Sequence, residues 1–184
     1  MKQVKGTLLL TIVKILKARN RTSGYYNSAL SDNAKTFLER RILTGSWYPL
    51  EYYRELFDTL CSVDAKNDPK TLIEWGLEEG KQWFTTIYQS AIVEGDLESA
   101  IERYKRFHKK VFNFGEVKVE AISDTELEFT YVDMPQDWKN YYYTSLGYAL
   151  VFIELCVGKK PEYFFQNKSW ERGGWTKTRF SWVP

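Results

Sequence analysis

The order of segments from residue 116 onward constrains the fold of this chain more than any single residue. Glu116 to Ile122 and Glu126 to Tyr131 alternate charged or polar residues with apolar ones, the period-two signature of half-buried strands. Ser123 to Thr125 supplies a short turn between them. Trp138 to Val157 then carries apolar residues at helical spacing and is closed by Gly158, a residue suited to the left-handed end of a helix. Two aromatic strands follow, Tyr163 to Phe165 and Trp175 to Val183, with Gly173 and Gly174 in the turn before the second. Two hairpins separated by one helix predict a four-stranded antiparallel sheet.

The preceding part reads as helical. Leu8, Leu9, Ile12, Ile15 and Leu16 recur at helical spacing over 7–18, and 20–24 is a polar break. Ser31 or Asp32 caps a second helix carrying Ala34, Phe37, Leu38 and Ile42, ended by Gly45 and Ser46. Trp47, Tyr48 and Pro49 open a third helix, with Pro49 in its first turn, where a missing N–H costs nothing. Its apolar face is Tyr52, Tyr53, Leu56, Phe57 and Leu60. After the charged loop Asp64 to Asp68, Pro69 starts a long helix predicted to run to about Val93. Leu72, Ile73, Gly76, Leu77, Gly80, Phe84, Ile87, Tyr88 and Ala91 lie on its buried side. Gly76 and Gly80, four apart, suggest close approach by another backbone or by a ligand, and close helix packing is the commoner explanation. A fifth helix covers Leu97 to Val111 and carries His108. The whole reads as one α+β domain over 1–184, a helical N-terminal half packed beside a four-stranded antiparallel sheet.

Composition excludes several classes of function. At 184 residues with 43% apolar and 27% charged side chains, the chain can bury one sizeable core. A net charge of +2, spread along the sequence, gives no footprint for nucleic acid. No apolar run reaches the ~20 residues of a membrane span. Lys2 and Lys5 precede the apolar run Thr7 to Val13, but Lys14 interrupts it and no small-residue cleavage site follows, so the segment reads as an amphipathic helix. Cys61 and Cys156 lie far apart on apolar helix faces and read as buried free thiols, which favours a reducing, cytoplasmic setting.

Catalytic chemistry is sparse. His108 is the one histidine, so any Ser–His–Asp or Cys–His device would have to use it. No G-x-S-x-G elbow is present. Two cysteines and one histidine cannot form a four-ligand zinc site without carboxylates. Glu78 and Glu79, or Glu51 and Glu55, read as charged helix faces. The loop Lys168 to Arg172 reads as a solvated hairpin tip. A helix imidazole can ligate a heme iron, or fill a polar niche at the edge of a core. The sequence therefore reads as no enzyme, with no metal site and no cofactor named by the residues themselves.

The layout resembles a superfamily that includes the heme–nitric-oxide-binding (H-NOX) domains, the vinyl-reductase-like domains and the small TRAPP trafficking subunits. The likeness is strongest to uncharacterised bacterial members. It rests on S-W-Y-P at Ser46 to Pro49, F-N-F-G at Phe112 to Gly115, L-G-Y at Leu146 to Tyr148 and F-S-W at Phe180 to Trp182. The resemblance implies helices beside a small antiparallel sheet, with a pocket in the ligand-binding branches. H-NOX domains hold heme with a helix histidine and a Y-x-S-x-R motif. Here the strand end reads Tyr131, Val132, Asp133, Met134, Pro135, with neither the serine nor the arginine. The final hairpin, Asn167 to Phe180, has no cysteine of the vinyl-reductase-like kind.

Two functions follow as expectations. The first is a non-catalytic small-molecule sensor or adaptor, whose apolar pocket is lined by Trp47, Tyr48, Trp83 and Tyr148 and takes a small hydrophobic ligand, with a protein partner or a second copy reading the result. The alternative is a heme-binding sensor using His108, or a structural dimeric subunit.

Overall fold

A computed structural model of the chain describes residues 1–23, 25–86, 89–92 and 95–184. The contacts divide into two units. The first comprises Met1–Asp68 with Lys110–Asn113, and the second Pro69–Lys109 with Phe114–Pro184.

In the first unit, β1 (Gln3–Lys5) leads into α1 (Gly6–Ser23) and pairs antiparallel with β2 (Trp47–Pro49), Val4 opposite Tyr48. Between them lies α2 (Asp32–Leu38), capped by the Ser31 hydroxyl, which accepts from the Ala34 N–H at 3.2 Å. This helix stops at Leu38, short of the expected Ile42, although Ile42 is still buried.

The expectation that Trp47 to Pro49 opens a helix is corrected here. Those residues form β2, and α3 spans Leu50–Asp64 with Pro49 as its cap at ψ 135°. The ring of a proline crowds the preceding residue out of the helical region, so Tyr48 extends and pairs with β1. The Leu50 N–H, at the start of α3, donates to the Lys2 carbonyl at 3.0 Å. Phe112 bridges to Val4, and the Asn113 N–H donates to the Gln3 carbonyl at 3.2 Å.

The second unit holds the four-stranded antiparallel sheet, in the order β3-β4-β6-β5. Its strands are β3 (Glu116–Ser123), β4 (Glu126–Val132), β5 (Glu162–Asn167) and β6 (Thr176–Ser181), so the two hairpins join through β4 and β6. The helices are α4 (Pro69–Thr85), α5 (Leu97–Val111), whose last two residues cluster with the first unit, α6 (Lys139–Val157) and a short α7 (Ser169–Arg172). The α4 periodicity was expected to continue to Val93. The helix ends at Thr85, Gln89–Ala91 form a 3-10 turn, and Ile87, Tyr88 and Val93 lie outside the described residues.

The glycines explain how α4 meets α6. A Cβ on Gly76 would lie 2.0 Å from the Thr144 carbonyl oxygen, and one on Gly147 would lie 2.3 Å from that of Ile73. The two backbones touch with no side chain between them. Leu146, Ala149, Leu150, Phe152 and Ile153 of α6 are buried. Among the described residues, no helix is long and apolar enough to cross a membrane.

Candidate functional site

The chemistry of the second unit begins at His108. On α5, Ala100, Ile101, Tyr104, His108 and Val111 are the buried positions, a helical stripe. His108 is 4% exposed, and its Nε2 lies 3.4 Å from the Phe114 carbonyl oxygen. The chain turns at Gly115, where φ is +61° and a Cβ would lie 2.6 Å from the Met134 sulfur. Burial draws the His108 pKa down to about 4, against the opposing pull of the Phe114 carbonyl and of Glu116. The imidazole is therefore neutral at pH 7, and the contact to the carbonyl requires the tautomer with its proton on Nε2.

Rings fill the layer between the helices and the inward face of the sheet. The Tyr104 ring lies 4.6 Å from Phe152 and 5.3 Å from Phe129, and Phe129 lies 5.0 Å from Phe180. Tyr131, which opens the strand end Tyr131 to Pro135, lies 5.4 Å from Tyr142. Its hydroxyl shares hydrogen bonds with Ser145 and Tyr104, and burial holds its pKa far above the usual tyrosine value. Trp138 stacks on Tyr141 at 4.4 Å, and Trp170 on Tyr142 at 5.4 Å. The hairpin tip around Trp170 is thus not the solvated loop expected. It forms α7, whose buried Ser169 hydroxyl donates to the Gln136 carbonyl at 2.7 Å.

Of the four expected pocket residues, the structure brings two together. Trp83 and Tyr148 meet edge to face at 6.1 Å beside the α4–α6 crossing. The Tyr148 hydroxyl donates to Glu79 at 2.6 Å, and burial raises the pKa of that carboxyl. Trp47 and Tyr48 belong to the first unit. The Lys5 ammonium sits 4.1 Å over the Trp47 ring, and the Tyr48 hydroxyl accepts from the Leu43 N–H at 2.8 Å. Glu79 was set aside in the sequence as part of a charged face. Its place three residues after Gly76 and four before Trp83 was the available signal that it lies on the packed side. Glu55 accepts from the Ser31 N–H at 2.7 Å, so it serves the start of α2. Cys61 and Cys156 are buried and form no disulfide, as the sequence indicated. No group of three or more His, Cys, Asp or Glu among the described residues could hold a metal ion.

No family profile matches the chain, and no curated protein is found as a relative. Solved structures do match. A structure described as "Probing the function of heme distortion in the H-NOX family" aligns over 98% of this chain and 95% of its own, at 16% identity and a TM-score of 0.65. A point mutant of the T. Tengcongensis H-NOX covers 98% of both chains at 16% identity and 0.64. An "oxygen binding H-NOX domain related to soluble guanylate cyclases" covers 98% of this chain and 95% of its own at 16% and 0.62. This chain has the H-NOX fold. The structures named bear on the H-NOX branch of the expected likeness.

Heme is the group that the first of these descriptions names, and the residues here fit it unequally. His108 would fit as the iron's ligand through its second ring nitrogen: it is a buried, neutral imidazole on a helix, the form that binds a metal, with Nε2 turned to the Phe114 carbonyl. The segment Tyr131 to Pro135 does not fit as a holder of heme carboxylates. Tyr131 spends its hydroxyl on Ser145 and Tyr104, and Asp133, where the motif has serine, would repel a carboxylate.

Proposed function

We propose that this chain is a non-catalytic sensor domain, and that heme held by His108 is the ligand to test first. The observation that carries the reading is an H-NOX fold over nearly the whole chain together with one buried, neutral histidine on a helix. Heme, when bound, would supply an iron that takes a small gas as a further ligand. The chain's own part would be to present His108 from α5 and to keep water from it with the ring-filled layer around Tyr104. The test is reconstitution of the purified chain with heme. A Soret band that is lost or displaced in His108→Ala supports the reading. No band in the parent chain ends the heme proposal.

A second reading is favoured by a specific contact. The Nε2 of His108 faces the Phe114 carbonyl oxygen, so its ring already has a structural task. On this reading the domain responds to a small apolar molecule without heme, beginning at the Trp83–Tyr148 pair. Native mass spectrometry and solvent extraction of the purified chain would reveal such a ligand. An interior that retains nothing, and a melting temperature indifferent to apolar compounds, would count against it. The partner that reads the sensor is outside both proposals.

A further inference from the structure

The sheet ends in two edges, β3 and β5, and they differ. In β5 the pairing with β6 slips between Phe165 and Asn167. Such a bulge bends an edge away from further pairing. β3 pairs with β4 without interruption from Glu116 to Ala121, and slips only at Ile122. A groove of about 260 Å³ borders this strand, lined by Lys105 and Lys109 of α5 and by β3 from Glu116 to Glu120. Lys105 and Lys109 form the other wall of this groove.

The side chains of β3 are complementary to those of a second β3 running the other way. Val117 and Val119 face inward and are buried, while Lys118 and Glu120 face outward and are exposed. With Val119 placed opposite the Val119 of an antiparallel copy, Lys118 faces Glu120 of the copy and Glu120 faces its Lys118. Val117 then meets Ala121, and Glu116 meets Ile122. Two cross-strand ion pairs form, and no like charges are opposed. Centring the pair on Lys118 instead opposes Lys118 to Lys118 and Glu116 to Glu120. Centring it on Val117 also forms two ion pairs, Glu116 to Lys118 in each direction, but overlaps only residues 116–118 of each strand. Charge excludes the Lys118 register and the length of overlap favours Val119 over Val117; the arrangement so selected is self-complementary, as a two-fold contact requires.

We propose that β3 is a self-association edge, on which two copies of this chain pair antiparallel about Val119 and join their sheets into one of eight strands. The edge N–H and C=O groups supply the main-chain bonds, and the Lys118–Glu120 pairs fix the register. One strand pair is a small contact, so the dimer is reversible and dissociates on dilution. High salt weakens it by screening the outward ion pairs. The proposal stands apart from the question of heme.

The test is sedimentation of the full chain over a roughly hundredfold range of concentration in low salt, where the ion pairs count most. A monomer–dimer equilibrium is expected. Lys118→Glu and Glu120→Lys each place like charges opposite one another twice, and each should raise the dissociation constant about tenfold or more, a factor of ten being 1.4 kcal/mol. The double variant, Lys118→Glu with Glu120→Lys, restores the pairs in the same register and should return the constant to near the parent value. Both side chains are exposed, and circular dichroism and melting curves confirm that the variants fold. A monomer at every concentration overturns the proposal. So does a dimer indifferent to the single reversals, or one that the double variant does not restore. A dimer broken by Phe164→Glu and not by Lys118→Glu would place the contact on β5 and overturn it as well.

Discussion

The two faces of the β3-β4-β6-β5 sheet are held by different physics. On the inward face Leu127, Phe129 and Phe180 are at most 1% exposed and meet the rings of the helices. Changes of volume there are felt by the neighbouring rings. On the outward face Glu128 is gripped by Lys177 at 2.8 Å and Arg179 at 3.2 Å, while Phe164 and Trp175 stand 56% and 47% exposed. On the inward side added volume acts through packing and depends on the position, whereas the outward side is adjusted by charge and salt. One protein thus carries a rigid interior and a surface open to electrostatic tuning.

The largest effect should come from breaking the inward side. Gly76→Ala drives a methyl against the Thr144 carbonyl, which must cost about 3 kcal/mol or abolish folding. Gly80→Ala is the control: its Cβ would lie 3.3 Å from the Tyr148 Cα, and a gain in helix propensity of about 1 kcal/mol offsets the crowding. Chemical denaturation of the two variants should separate them clearly; equal stabilities would mean that the glycine contact is not what holds α4 to α6.

Acid should reach the inward side next. His108 has an ordinary pKa of 6.5 in the unfolded chain and about 4 in the folded one, so the unfolded chain takes up the proton first. Stability is full above about pH 6.5 and falls as the pH drops towards 4, by about 3 kcal/mol at the limit. Denaturation midpoints measured between these pH values should show the loss, and His108→Asn should flatten it. A parent chain whose stability is level across that window would contradict the burial of a neutral imidazole.

Smaller effects belong to the outward side. Hydrogen bonding from Lys177 holds the Glu128 carboxyl below the usual carboxylate range, with Arg179 adding to the pull. Its contribution is present above the unfolded pKa and is lost as the pH falls through the depressed folded one. Glu128→Gln should cost about 1 kcal/mol or less and reduce the salt dependence of stability. Least of all, Lys118→Ala should alter the monomer's stability by under about 0.5 kcal/mol. A larger loss in thermal melts would mean that β3 depends on this lysine for more than its outward charge.

The strands and most helices were legible because each carries its period locally. Leu127, Phe129 and Tyr131 alternate, and all three are buried. The helix containing His108 was read to its last residue. What escaped were features decided by partners distant in sequence. Pro49 is a legal first residue of a helix, but pairing of Tyr48 with Val4 made it the cap of one. Trp170 lies among polar neighbours that suggest a loop, and only the stacked Tyr142 shows why it is drawn in. The glycine pair on α4 correctly signalled a close backbone. The sequence named neither its counterpart, Gly147, nor the carboxyl that bonds to Tyr148. At the candidate site the histidine was visible, but its engagement with the Phe114 carbonyl depends on a turn that places residue 114 beside residue 108.

The two cysteines happen to be distributed one to each unit, Cys61 at 0% exposure in the first and Cys156 at 2% in the second. A thiol so enclosed reacts with a reagent only when its surroundings open. The rate at which each sulfur is labelled in the native protein would therefore act as a separate clock for each half of the molecule, needing no engineered probe.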